Sequence, residues 1–164
     1  SNSQAVSAGR NRQSSKNKLH LQEKQQMGTS TVSTRWTGEN LNFMGETPKG
    51  HQIEMGKGLA SPSQLMLMGL AGCTGMDVVS ILQKKRQNIE DVEVQVIAHN
   101  NDEYPKPYHT VELKFIVKGQ DLDPKAVERA IKLSHDKYCV VGQTLQNETK
   151  ITTSFEIEEP VAVA

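Results

Sequence analysis

Apolar and polar positions alternate along residues 31–37, TVSTRWT, a β-rich run that predicts a strand. Short runs at 41–45 and 51–55 predict two more strands. The turn Thr47-Pro48-Lys49-Gly50 separates them, with Pro and Gly placed as a tight turn needs. Then the period changes. Ser61 suits a helix N-cap and Pro62 the first helical position. From there to about Gln87, Leu65, Met66, Leu67, Met68, Leu70, Ala71, Met76, Val78, Val79, Ile81 and Leu82 cover nearly the whole circumference of a helix. A helix that is apolar all round is a buried one. Its tail, Gln83 to Gln87, returns to water and puts Lys84, Lys85 and Arg86 at the negative end of the dipole.

Residues 92–98, VEVQVIA, alternate strictly and predict a strand, and 100–107 is a loop with two prolines. Residues 110–118 predict the next strand, with Val111, Leu113, Phe115 and Val117 on one face. Asp123-Pro124 repeats the N-cap and proline signal for a second helix. Its buried stripe is Val127, Ala130, Ile131, Ser134 and Tyr138. A short helix over 141–147 and a last strand over 150–158 complete an α+β fold, a mostly antiparallel sheet with a long buried central helix. A single small domain rarely encloses a helix apolar on every side, so the pattern predicts an obligate dimer.

Composition sets the boundaries. The hydrophobic share of the chain's 164 residues is 35%, low for a globular protein. Residues 1–30 account for much of the deficit: up to Met27, Arg10, Arg12, Lys16, Lys18 and Lys24 stand against the lone acid Glu23, with few apolar side chains. Such a stretch predicts a disordered basic extension before a domain over 31–158, with 159–164 as a flexible C-terminus. The formal net charge is zero, so nothing beyond the tail favours nucleic acid as a partner. The tail lacks the apolar core of a secretory signal. Gly69, Gly72, Thr74, Gly75, Asp77 and Ser80 interrupt the central apolar run, against a membrane span. The expectation is a soluble, cytoplasmic protein. In that compartment two cysteines point to reactivity or metal more than to a structural staple.

Cys73 lies between Gly72 and Gly75, which suit close approach of a backbone or a small substrate; as a bland alternative it is an inert core thiol. Cys139 ends the run Leu133 to Tyr138. Were both in one pocket, three chemistries would follow: a redox pair that cycles through a disulfide, a static disulfide, or a metal site with His135, one helical turn before Cys139. The last lacks the paired spacing of strong metal motifs. His51, His99 and His109 read as surface or core histidines, and Tyr138, Met66, Met68 and Met76 as packing residues. No GxSxG or glycine-rich phosphate loop is present.

The runs Ser61-Pro62-Ser63-Gln64-Leu65 and Leu70 to Leu82, LAGCTGMDVVSIL, resemble the central helix of the osmotically inducible protein C (OsmC)/organic hydroperoxide resistance (Ohr) class. Ala130 to Ser134 with Lys137-Tyr138-Cys139 resembles that family's second-cysteine motif, and the likeness spans about residues 31–158. The resemblance implies an intertwined homodimer with active sites at the subunit interface. It also implies thiol-dependent reduction of hydroperoxides, organic ones especially, in oxidative-stress defence. By it Cys73 is the peroxidatic cysteine and Cys139 the resolving one. No bound cofactor is implied; an external dithiol reductant, a lipoyl group or a small thiol, restores both thiols. A thiolate needs a neighbouring cation to bring its pKa below about 8.5. The family draws an arginine from the N-terminal strands, and Arg35 is the only arginine between the tail and the central helix.

Two departures accompany the resemblance. Where the family places a glutamate to hold that arginine, Ser63 and Gln64 stand, leaving Glu39, Glu46 or Glu54 as substitutes. Asp77, one turn beyond Cys73, is a carboxylate that would raise a neighbouring thiol's pKa, unless it pairs with a cation or caps a neighbouring segment. These departures keep two alternatives open: a non-catalytic ligand binder or redox sensor, and a thiol-transfer enzyme that uses Cys73 alone.

Overall fold

The computed structural model describes residues 28–147, 151–154 and 156. The basic extension up to Met27 and residues 159–164 lie outside the described residues. The chain divides at Ser61/Pro62 into two compact units.

The first unit is a three-stranded antiparallel meander of β1 (Ser33–Trp36), β2 (Phe43–Glu46) and β3 (Gln52–Met55). The predicted Thr47–Gly50 turn forms: Gly50 N–H donates to Thr47 O at 2.9 Å, and Gly50 takes a φ of +82° that glycine accepts without strain. At the β1–β2 turn Trp36 Nε1 donates to Asn40 O at 3.2 Å. Register aligns Arg35 with Met44 and Met44 with Glu54.

The second unit opens on α1 (Pro62–Lys84), which starts where Ser61-Pro62 predicts. A long hairpin follows, β4 (Asn88–Asn100) and β5 (Tyr108–Gln120), two to four residues longer at each end than the sequence pattern suggests. Its register pairs Val92 with Val117, Val94 with Phe115, Val96 with Leu113 and Ala98 with Val111, so the alternating apolar residues share one face. Next come α2 (Pro124–Leu133), a π-helical turn (Ser134–Tyr138) and α3 (Val140–Gln146). Asp123 caps α2 as predicted, its Oδ1 accepting from Lys125 N–H at 3.0 Å. The strands are antiparallel throughout but form two sheets, one in each unit.

The core lies where α1 meets α2 and the hairpin: Val78, Leu82, Ala126 and Ala130, backed by Ile81, Ile89, Phe115, Val117, Val127 and Ile131. A fully buried Leu or Val contributes about 1.5–3 kcal/mol, and Leu82 and Val78 are both completely covered. Gly75 brings α1 close to β4: a Cβ there would lie 3.3 Å from Val94 Cγ2.

Three expectations need correction. First, α1 is not buried all round in this chain. Only the stripe Leu70, Thr74, Val78 and Leu82 is buried, while Met66, Met68 and Met76 are exposed, the last at 76%. The described residues supply packing partners for one face only. By length and a mean hydropathy of 1.8, α1 would suit a bilayer; here its buried stripe packs within a mixed α/β unit. Second, Tyr138 does not join the buried stripe of α2; it is 58% exposed. The π turn bonds Cys139 N–H to Ser134 O at 3.0 Å, so the residue five beyond Ser134 takes the inward place that an α-helix gives to the fourth. Third, of the strand expected over 150–158, the described residues 151–154 and 156 adopt no regular structure. The others lie outside the described residues.

Candidate functional site

Cys73 lies on α1 beside the buried Thr74, whose hydroxyl is satisfied by donating back to Leu70 O and Ala71 O, each at 3.1 Å. Cys73 is half-buried and Cys139 fully buried; both are free thiols. Cys139 sits in extended conformation between the π turn and α3, and its Sγ accepts from Gly142 N–H at 3.2 Å. A Cβ on Gly142 would lie 3.4 Å from that sulfur, so the thiol is closely seated.

The sequence predicts no distance between the cysteines; the fold brings them near enough for Cys73 to act on the Cys139 thiol. Burial, first, and the neighbouring Cys73 thiol, second, push the Cys139 thiol up to about 11. The Gly142 N–H works in the opposite direction, and the negative charges of Cys73 and Asp77 add to the rise. Cys139 is therefore a protonated thiol at neutral pH.

Asp77 takes up the capping role that the sequence leaves open to it. Its Oδ2 accepts from the Ser134 hydroxyl at 2.8 Å. Ser134 is completely buried and all its polar groups are engaged. The N–H donates to Ala130 O and Ile131 O, the carbonyl accepts from Cys139 N–H, and the hydroxyl reaches Asp77. Sequence reasoning places Ser134 on a buried stripe but gives it no role. A buried serine in such a stripe, which must find a partner, was the available signal. Gly142 gives none, because its donor is backbone.

His135, considered above as a metal ligand, instead turns its Nδ1 to Asp136 Oδ1 at 2.9 Å. Among the described residues no group of three or more His, Cys, Asp and Glu is placed to hold a metal ion. A cavity of about 320 Å³ lies against Cys139, walled by Leu70, Val111, Leu113 and Leu145 with His109 and His135. That is the lower end of the size range of small-molecule sites. Arg35 is an exposed residue of β1, in the first unit. Of the three acids expected to substitute for the family's glutamate, Glu54 lies in its cross-strand row, where long side chains share one face.

Comparison with known proteins agrees with the fold. A family model described as OsmC-like protein matches residues 55–154. Protein YhfA of Escherichia coli (strain K12) is 43% identical over 127 residues, which cover 75% of this chain and 94% of that protein. The crystal structure of a hypothetical protein from Aquifex aeolicus VF5 superposes with a TM-score of 0.66 at 32% identity, covering 72% of this chain and 87% of that one. An OsmC-like hydroperoxide resistance protein from Jannaschia sp. ccs1 shares the fold, with a TM-score of 0.51 at 15% identity over 79% of this chain and 92% of that one.

Proposed function

This chain belongs to the OsmC-like protein family, and from that premise we propose that it is a thiol-dependent reductase of organic hydroperoxides with Cys73 and Cys139 as its redox pair. The observation that carries the reading is a pair of free thiols, one half-buried and one fully buried, near enough for Cys73 to act on Cys139. Cys73, the more accessible, attacks the peroxide: its thiolate takes the outer oxygen of ROOH to become sulfenic acid, and RO⁻ leaves as the alcohol on taking a proton. Cys139 then condenses with the sulfenic acid. An S–S bond forms, and the sulfenic hydroxyl departs with the Cys139 proton as water. An external dithiol, lipoyl-like or a small thiol, reduces the disulfide and is itself oxidised.

Arg35 is the proposed cation for the Cys73 thiolate. A second copy of the chain is the proposed cover for the exposed methionines of α1, as an aqueous apolar face of that size favours association.

The test is consumption of cumene hydroperoxide with a dithiol reductant. Wild type should turn over, Cys73→Ser should lose turnover altogether, and Cys139→Ser should lose disulfide cycling. Equal, slow rates for all three proteins would sink the peroxidase reading. One feature favours a second reading, a redox sensor: the carboxylate of Asp77 lies near the thiols and helps to keep Cys139 protonated, a setting for slow oxidation more than rapid turnover. A sensor would form the Cys73–Cys139 disulfide stoichiometrically under peroxide without sustained consumption.

A further inference from the structure

We propose that Asp77 is a positioning residue that, through Ser134, fixes Cys139 against Cys73 and so sets how readily the pair closes into a disulfide. The inference rests on the two-thiol reading but not on peroxide as the oxidant.

Two segments frame the thiol pair. Cys73 and Asp77 stand one turn apart on α1, on the same side of the helix. Ser134 and Cys139 stand at the start and just past the end of the π turn, joined by the Cys139 N–H to Ser134 O bond. The segments are tied by the Ser134 hydroxyl donating to the Asp77 carboxylate at 2.8 Å, and the two thiols lie near enough for Cys73 to act on Cys139. Disulfides need sulfurs about 2.05 Å apart at a restricted dihedral, so the fixed bond determines how the thiols can close. A charge-assisted hydrogen bond to a buried hydroxyl is among the stronger single contacts available. Moreover, Ser134 has no spare polar group with which to relax. Without Asp77 the hydroxyl would be buried and unpaired, and the π turn would be free to revert to α spacing. That change would carry Cys139 off the Cys73 face.

Equilibration of the full chain in glutathione redox buffers tests this without peroxide. Each closure consumes one glutathione disulfide and both thiols and yields the protein disulfide and two glutathione thiols. Asp77→Ala and Ser134→Ala should each lower the closure constant on the order of tenfold, the scale of one charged hydrogen bond. The double variant should fall no further than either single one, because both remove the same bond. Asp77→Asn, which still accepts from Ser134 through its amide oxygen, should stay within about threefold of wild type.

A merely structural role would lower the melting temperature of the reduced protein and leave the closure constant unchanged, and that result would overturn the proposal. Additive losses in the double variant, or an Asp77→Asn loss as large as that of Asp77→Ala, would do the same. Should Asp77→Ala fail to fold, Ser134→Ala against Asp77→Asn carries the comparison alone. A wild type that closes in glutathione but ignores cumene hydroperoxide would remove the peroxidase reading and leave this inference standing.

Discussion

Two ladders of buried residues face each other across the second unit, and they are built differently. On α1 the ladder is Leu70, Thr74, Val78, Leu82, a constant step of four. Opposite it runs Ala126, Ala130, Ser134, Cys139, Gly142, where the π turn stretches the third step to five and the last is three. The regular ladder follows from helix geometry alone and needs only apolar side chains at the right period. The irregular one depends on specific polar bonds, Ser134 to Asp77 and Gly142 to the Cys139 sulfur, to hold a spacing that an α-helix would not adopt. Extra-residue turns of this kind recur at functional sites, and here the extra step delivers the buried cysteine. Cys73 is thus placed by default geometry, and Cys139 by bonds that a single substitution removes.

The comparison can be broken at three points. The largest effect belongs to the regular ladder. Leu82→Ala removes a completely buried side chain where α1 meets α2 and should cost about 2–5 kcal/mol in urea unfolding. The irregular ladder should respond instead to pH. The Cys139 thiol has its ordinary value of 9.0 in the unfolded chain and about 11 in the fold, so the folded state holds its proton longer. Its contribution is intact below pH 9 and is lost as the pH climbs towards 11. Unfolding titrations should show stability falling across that window, and Cys139→Ala should flatten the fall. The smallest effect lies at the start of the irregular ladder. Asp123→Ala removes the side-chain cap on Lys125 N–H and should cost about 1 kcal/mol, with no change in either thiol's reactivity towards a chromogenic disulfide.

What the sequence revealed follows the same division. The starts of α1 and α2 were readable because Ser-Pro and Asp-Pro act locally, within one turn. The matched faces of β4 and β5 were readable because alternation has a strict period. The family was readable because the two cysteine blocks are specific together. The outward place of Tyr138 was hidden, since no local residue type announces a π turn. One-sided cover of α1 was hidden too: composition shows that a helix is apolar, not how many neighbours reach it. The nearness of Cys73 to Cys139, and the Asp77–Ser134 bond beside it, join residues far apart in the chain and exist only once α1 and the π turn have packed.

Trp36 is the chain's single tryptophan, and its indole is tied to the β1–β2 turn of the first unit. The second unit holds the tyrosines Tyr104, Tyr108 and Tyr138 and no tryptophan. The molecule therefore carries a separate optical label in each half. Red-edge excitation reports on the meander alone, while tyrosine absorbance follows the half that bears the thiols. Their melting curves, recorded on one sample, would measure directly how far the two halves share a single cooperative transition.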